Sequence, residues 1–505
     1  MTNASAAQSD IELYSLPDNG RAHPGVSRET LPNRDALEHA RVGKKEVLKR
    51  RFRLARTIGF ASSIMITWKA MTIPSLTPCL NGGPAAMTYG YLAVWIAFFS
   101  IFITMGELAS MIPSAGGQYH WTSILAPSSS RRFLSFITGS ISVIAWTVTA
   151  TSNYIVAANL VQSTVVLGLP NYDAKAWQAT LMTCGILLLA LFVVIYLSMI
   201  FPVIKVFLLI AHIFGFFAVL IALVYLGPSA GLRSGFTQTL DYGGWHNIGL
   251  ATFVGLQGTV VAFMGMDGAI HMAEEVENSS LVVPQSMLLA ILLNGSLGFA
   301  MLIAILSKSG DLHKLLTTDT KFLFMFILEN SLQSKSAAII LSSMFCILSS
   351  CAAFALIAAG SRMLWSFCRE RAFPGWRWLR QVDRRTSVPN HSTFIIVLAA
   401  CLIGLVDIGA PFVLTITLSL VLQGCFFSYL IPLSLLLYRR VKGQIAESEE
   451  DGGDSKPFTW GPFRLKGWVE AVNNALAIVF IVVMLFFGLA ITGGMILLAV
   501  VYYFA

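Results

Sequence analysis

From about residue 57 onward the chain alternates between long apolar runs and short polar stretches, and the runs have the length of membrane crossings. About 20 residues of α-helix span the hydrocarbon core of a bilayer. On that measure the pattern predicts helices over 57–77, 84–109, 133–167, 176–197, 200–227, 247–272, 285–307, 337–366, 392–408, 410–438 and 471–490, with a short twelfth at 491–505. The expected organisation is an N-terminal tail over 1–56, a ten-helix core over 57–438, a polar loop over 439–470, and helix eleven with a shortened helix twelve over 471–505. The last assignment is awkward. Residues 473–505 are almost wholly apolar, too many for one crossing and few for two with a turn, and the turn is expected at Gly493 and Gly494.

Composition narrows the class. A chain that is 56% hydrophobic and 12% charged, with a mean hydropathy of +0.71, is an all-α polytopic membrane protein rather than a soluble domain. Its net charge of +8 is not gathered into a nucleic-acid-binding patch. Instead, 26 lysines and arginines lie on segments expected to be cytoplasmic and 6 on the external loops, which places the N-terminus in the cytoplasm. The tail, with Pro17, Pro24 and Pro32, reads as disordered up to a basic run over 44–56. No apolar signal-peptide core precedes Ile58, so the first helix is expected to direct insertion. The seven cysteines form no CxxC pair and read as small packed hydrophobes.

The chemistry concentrates over 261–286, where an apolar run carries Asp267 between Gly265 and Gly268 and then turns acidic at Glu274, Glu275 and Glu277. A buried carboxylate is costly in hydrocarbon unless the backbone opens locally and lines a cavity. The run therefore predicts a broken sixth helix with a polar site at mid-membrane. Asp267 has three possible roles there: cation ligand, proton acceptor, or hydrogen-bond partner of the broken backbone. Helix one offers small residues and hydroxyls at Gly59, Ala61, Ser62 and Ser63, which suit either a second backbone opening or close helix packing. Helices one and six hold equivalent places in two five-helix repeats, which favours the opening. The segment after helix two, Pro113-Ser114-Ala115-Gly116-Gly117, cannot continue a helix, and Tyr119 and Trp121 suit a membrane interface.

Two lysines fall in apolar runs. Lys205 starts helix five and either presents its charge near helix one or snorkels to the interface; Lys69 lies in helix one at a depth the pattern does not fix. Trp68, Trp146, Tyr154 and Phe263 are candidates for a cation–π enclosure, and His120, His212 and His271 for a proton relay, each against a plain packing role. The chain has no Gly-x-Ser-x-Gly elbow, Walker loop or His-x-x-Glu-His, which argues against an enzyme or an ATP-driven pump.

Several motifs together resemble the amino acid–polyamine–organocation (APC) superfamily, and within it the fungal amino acid/choline/GABA permeases. They are Gly82-Gly83-Pro84, residues 107–121, Phe-x-Gly-x-Asp at 263–267, His-Met-x-Glu-Glu-Val at 271–276 with Pro284, Ser361-Arg362, and Phe367-Cys368-Arg369-Glu370. The resemblance implies a five-plus-five inverted-repeat fold with helices one and six discontinuous. It implies substrate contacts at Ala61, Ser62, Ser63, Phe263, Met264, Gly265 and Asp267. Lys205 would stand where related transporters hold a sodium ion. Glu274 and Glu275 would close helix six on the cytoplasmic side, with Arg362 or Arg369 as partners. The family's polar loop between helices eleven and twelve and its basic C-terminal tail are not seen in this sequence. The implied function is secondary-active transport of small amino acids, choline, GABA or related amines across the plasma membrane, coupled to protons or to exchange, with no cofactor or metal. The partners are a small-molecule substrate and the bilayer, not nucleic acid; nothing indicates an oligomeric state. The alternatives are a transporter of a specialised metabolite or its precursor and, in another class, a non-transporting nutrient sensor.

Overall fold

The computed structural model describes residues 48–65, 67–70, 76–169, 171–229, 233–308, 323–409, 413–447 and 458–504. Its principal helices are α1 (Leu54–Met65), α2 (Gly83–Met111), α3 (Arg131–Gly168), α4 (Ala176–Tyr196), α5 (Phe201–Leu226), α6 (Ile248–Val261), α7 (Ser279–Lys308), α8 (Lys335–Arg369), α9 (Asn390–Leu405), α10 (Val413–Val441) and α11 (Trp468–Phe504). Among the described residues nine helices are long and apolar enough to cross a membrane, and α6 is a shorter apolar helix. Large apolar side chains such as Ile96, Phe207, Phe214 and Ile221 are exposed. In water they would aggregate; in lipid they are the solvated face.

The packing follows the expected repeats. The second helices of each set of five meet (α2 on α7), as do the third (α3 on α8) and the fourth (α4 on α9). Helix α1 lies against α5, α7 and α8. Its approach to α5 depends on Gly59, where a Cβ would sit 2.7 Å from the Lys205 carbonyl oxygen. A small residue lets two backbones touch, which is how membrane helices gain packing energy without a hydrophobic drive.

Two expectations are corrected. Gln118–Leu125 is a helix of its own, packed on α3 and α10, and Tyr119 and Trp121 are buried rather than interfacial. The Tyr119 hydroxyl lies 2.9 Å from Ser366 Oγ, and Trp121 Nε1 donates to the Ile112 carbonyl, so each polar tip is satisfied inside the protein. The turn at Gly493 and Gly494 is not formed, and helix α11 runs unbroken from Trp468 to Phe504 in place of two short helices. Two glycines cost a helix about 1 kcal/mol each, less than exposing backbone groups in an apolar run. The polar loop after α10 is docked on α2: Phe463 N donates to Ser110 Oγ and Leu465 N to Glu107 Oε1.

Candidate substrate site at the broken sixth helix

Helix α6 starts cleanly, its N-terminal amide at Leu250 capped by the Asn247 side chain. It stops at Val261. Residues 262–267 form successive tight turns, and helix resumes only over Gly268–His271, followed by a 3₁₀ turn at Ala273–Glu275. Gly265 makes the break possible: its φ is +93°, and a Cβ there would lie 2.6 Å from Ile64 Cγ2 of α1. Gly265→Val is therefore expected to destabilise the protein by roughly 1–3 kcal/mol through backbone strain alone, read as a lower melting temperature in detergent, with uptake lost even in the folded fraction. The amides of Gly265, Met266 and Asp267 have no acceptor among the described residues. Amides left open at such a break can donate to an anion.

Asp267 closes the break and is 1% exposed. Its Oδ2 accepts from Gln118 Nε2 at 2.9 Å and lies 3.8 Å from His271 Nε2. Its Oδ1 has no hydrogen-bond partner among the described residues. Tyr429 and Cys425 of α10 face the same carboxyl. Trp146 of α3 meets the His271 ring edge-on at 5.2 Å, and Gly268 lets that indole approach the backbone. Helix α1 flanks the break: Ile64 abuts Gly265 and Gly268, and beyond it Thr67 Oγ1 donates to the Ala262 carbonyl.

Within Leu54–Met65 the expected opening is not seen. Ala61, Ser62 and Ser63 are helical and buried. Ser63 Oγ donates back to the Phe60 carbonyl at 2.8 Å, a bond that satisfies the hydroxyl without unwinding the helix. Ser62 Oγ is buried with no partner among the described residues. Ile66 and 71–75, where the chain leaves this helix, lie outside those residues.

Lys205 does not snorkel. It is fully buried, its Nζ donating to the Cys351 carbonyl of α8 at 3.1 Å and resting 5.0 Å from the Phe201 ring. Its charge thus stands between α1, α5 and α8. Lys69 is buried too, donating to Ser349 Oγ on α8 at 2.7 Å. Phe263 and Met264 are in the break, but Phe263 packs on Tyr91 and Phe98 of α2. Trp68 belongs to a separate cluster with Phe216 and Phe345, its Nε1 donating to His212. Of the four aromatic candidates, only Trp146 touches the Asp267–His271 corner in a recorded ring contact; Tyr154 is buried with its hydroxyl unpartnered among the described residues.

The end of the bundle that carries residues 48–53 is sealed over the break. Glu275 accepts from Arg362 Nε, and Glu274 from Arg369 Nη1, both at 2.8 Å, so each glutamate takes one of the two expected arginines. The strand-like segment before α1 crosses the same point: the Arg51 and Phe52 amides donate to the Glu275 carbonyl, and Glu277 N donates to the Phe52 carbonyl. Three contributors to the site were missed from sequence. Gln118 was hidden in a segment read as interfacial, and only its place beside the glycines hinted at it. Tyr429 and Cys425 carry no local signal.

A lipid-facing helical bundle built around a broken helix with a buried carboxylate is a membrane transporter, not an enzyme. A family model described as amino acid permease matches residues 52–505, and the chain belongs to that family. It is similar to the choline transporter of Saccharomyces cerevisiae, at 27% identity over 78% of this chain and 70% of that protein. It is similar as well to the swainsonine transporter of Arthroderma benhamiae, at 28% over 66% of each chain. The GABA-specific permease of S. cerevisiae is 26% identical over 72% of this chain and 64% of its own.

Proposed function

We propose that the protein is a secondary-active carrier of a small zwitterionic amine, an α- or γ-amino acid, with its ammonium at Asp267 and its carboxylate at the amides of 265–267. The observation that supports this reading is the coexistence, in one backbone break, of a carboxylate oxygen and three amides that have no partner among the described residues. A zwitterion satisfies both; choline, a cation with no carboxylate, satisfies only the first. The similarity to a GABA-specific permease points the same way. Transport runs by alternating access, coupled to protons or to exchange, and the roles of Ser62, Lys205, Glu274 and Glu275 as site, coupling and gating residues belong to this proposal. So do location in the plasma membrane and a cytoplasmic N-terminus, which the distribution of basic residues supports. A second reading, a carrier for a specialised alkaloid-like amine, is favoured by the similarity to a swainsonine transporter.

The test is uptake of labelled GABA, choline and an amino acid panel in permease-deficient yeast. Saturable uptake of a zwitterion is expected, with Asp267→Ala reducing it on the order of 10- to 100-fold at equal surface expression, the worth of one charged hydrogen bond. Preference for choline over every zwitterion would overturn the substrate class. A well-localised protein that moves no compound would point to a sensor.

A further inference from the structure

We propose that Asp267 and His271 together form the proton-binding site of the carrier, holding one proton between Oδ2 and Nε2; this rests on the reading of the protein as a secondary-active transporter. The tautomer of His271 is set by its surroundings. Nδ1 lies 2.9 Å from the Ala115 carbonyl oxygen, which can only accept, so Nδ1 carries a hydrogen. Gly117 keeps that segment close, since a Cβ there would lie 3.3 Å from the imidazole Cε1. The remaining nitrogen, Nε2, has no hydrogen-bond partner among the described residues and faces Asp267 Oδ2 across 3.8 Å.

Without a proton, an imidazole lone pair confronts a buried carboxylate. With one, the pair becomes an imidazolium–carboxylate contact that a small tilt of the ring closes to hydrogen-bonding distance. Among the described residues no other cation is paired with Asp267. Gly268–His271 packs on α1, α7 and α8, on the 3₁₀ turn that carries Glu274 and Glu275, and on Trp146 of α3. The titratable group of α1, Arg56, donates to the Arg51 carbonyl, and that of α7, Lys308, is the last residue of its helix. On α8, Arg362 and Arg369 are bound to Glu275 and Glu274, and Lys69 and Lys205 reach that helix elsewhere, at Ser349 and Cys351. From α10, Tyr429 and Cys425 face the carboxyl, and from Gln118–Leu125 the amide of Gln118 donates to it.

The arrangement links proton to substrate. Protonated His271 binds Oδ2 and keeps the carboxylate ionised, leaving Oδ1 to receive the substrate ammonium. Loss of the proton removes that support, so the two ligands favour one another.

The test needs no substrate in its first arm. The full-length protein in liposomes is treated with dicyclohexylcarbodiimide, which modifies protonated buried carboxyls, and modification at Asp267 is quantified by mass spectrometry across neutral pH. In the wild type it is expected to stay low throughout, because protonated His271 keeps the carboxylate ionised. In His271→Gln, and in His271→Asn as a second variant, the carboxyl has lost its cationic partner and must hold its own proton, so modification persists to higher pH. Profiles that coincide in wild type and folded variants, or wild-type modification above that of the variants, would overturn the proposal. The second arm measures accumulation of labelled GABA under an inward proton gradient, expected to drop at least about tenfold in His271→Gln, a loss of 1.4 kcal/mol or more; wild-type accumulation by the variant also overturns it. Failure of the wild type to move GABA counts against that substrate, while the carbodiimide profile still decides the proton site.

Discussion

Glu107→Ala is expected to destabilise the protein by roughly 3–5 kcal/mol, the usual cost of leaving one partner of a buried ion pair behind. Glu107 sits on α2 with its side chain fully buried, and its Oε2 accepts from Arg440 Nη2 at the end of α10, itself 2% exposed. The other carboxylate oxygen accepts the Leu465 amide at 2.8 Å, so one side chain ties α2, α10 and the docked segment together. Arg440 is further held by stacking on Trp460 at 4.9 Å and by donating to the Glu470 carbonyl. Removing the glutamate strands a guanidinium that is already in place. Melting temperature and yield in detergent should both drop for Glu107→Ala. Glu107→Gln, which keeps an acceptor for Leu465, should fall between. The paired apolar change Glu107→Leu with Arg440→Met should recover much of the loss, because neither charge then remains buried. A Glu107→Ala protein that melts with the wild type would show that the pair is not structural.

That interaction also shows how far the sequence could be read. Residue 107 was recognisable as part of a motif, but its partner lies 333 positions away, and nothing in the local pattern of either residue points to the other. The same limit applies to Asp267. An acid between two glycines in an apolar run already points to a broken helix, because the glycines let the backbone open beside a group that needs polar surroundings. Its neighbours Gln118 and Tyr429 come from distant helices, and only packing brings them there. Lys205 was ambiguous for a different reason. A lysine at a helix end can point either way, and the close contact of α1 with α5 at Gly59 turns this one inward. The eleventh helix was misread because length and two glycines suggested a turn, whereas an apolar run with no proline and only Thr492 beside the glycines has little with which to satisfy broken backbone bonds.

Glu275 and Arg362 should matter twice, once for stability and once for transport. Their side chains are 8% and 3% exposed, so Glu275→Ala alone should cost roughly 3–5 kcal/mol by the same reasoning. The Glu275 backbone, however, also anchors residues 51 and 52 through its carbonyl, and that part of the seal survives the substitution. Alternating access requires this end of the bundle to open in some states, and opening must separate α8 from the end of helix six. On the mechanism proposed above, the ion pair would bias the carrier towards the closed arrangement seen here. Breaking it shifts the population towards the opposite state by as much as the pair contributed. Accessibility is the direct readout: a cysteine introduced for Ala359, beside Gly268 on α8, should react faster with a membrane-impermeant maleimide added from the side of the N-terminus in Glu275→Ala than with the pair intact. The exchanged pair Glu275→Arg with Arg362→Glu should return both stability and slow labelling part of the way, since it restores opposite charges without restoring the Ser361 and Ala358 contacts of the native guanidinium. Equal labelling rates in all three proteins would mean that the pair only holds the fold, and that the segment over 48–53 seals this end by itself.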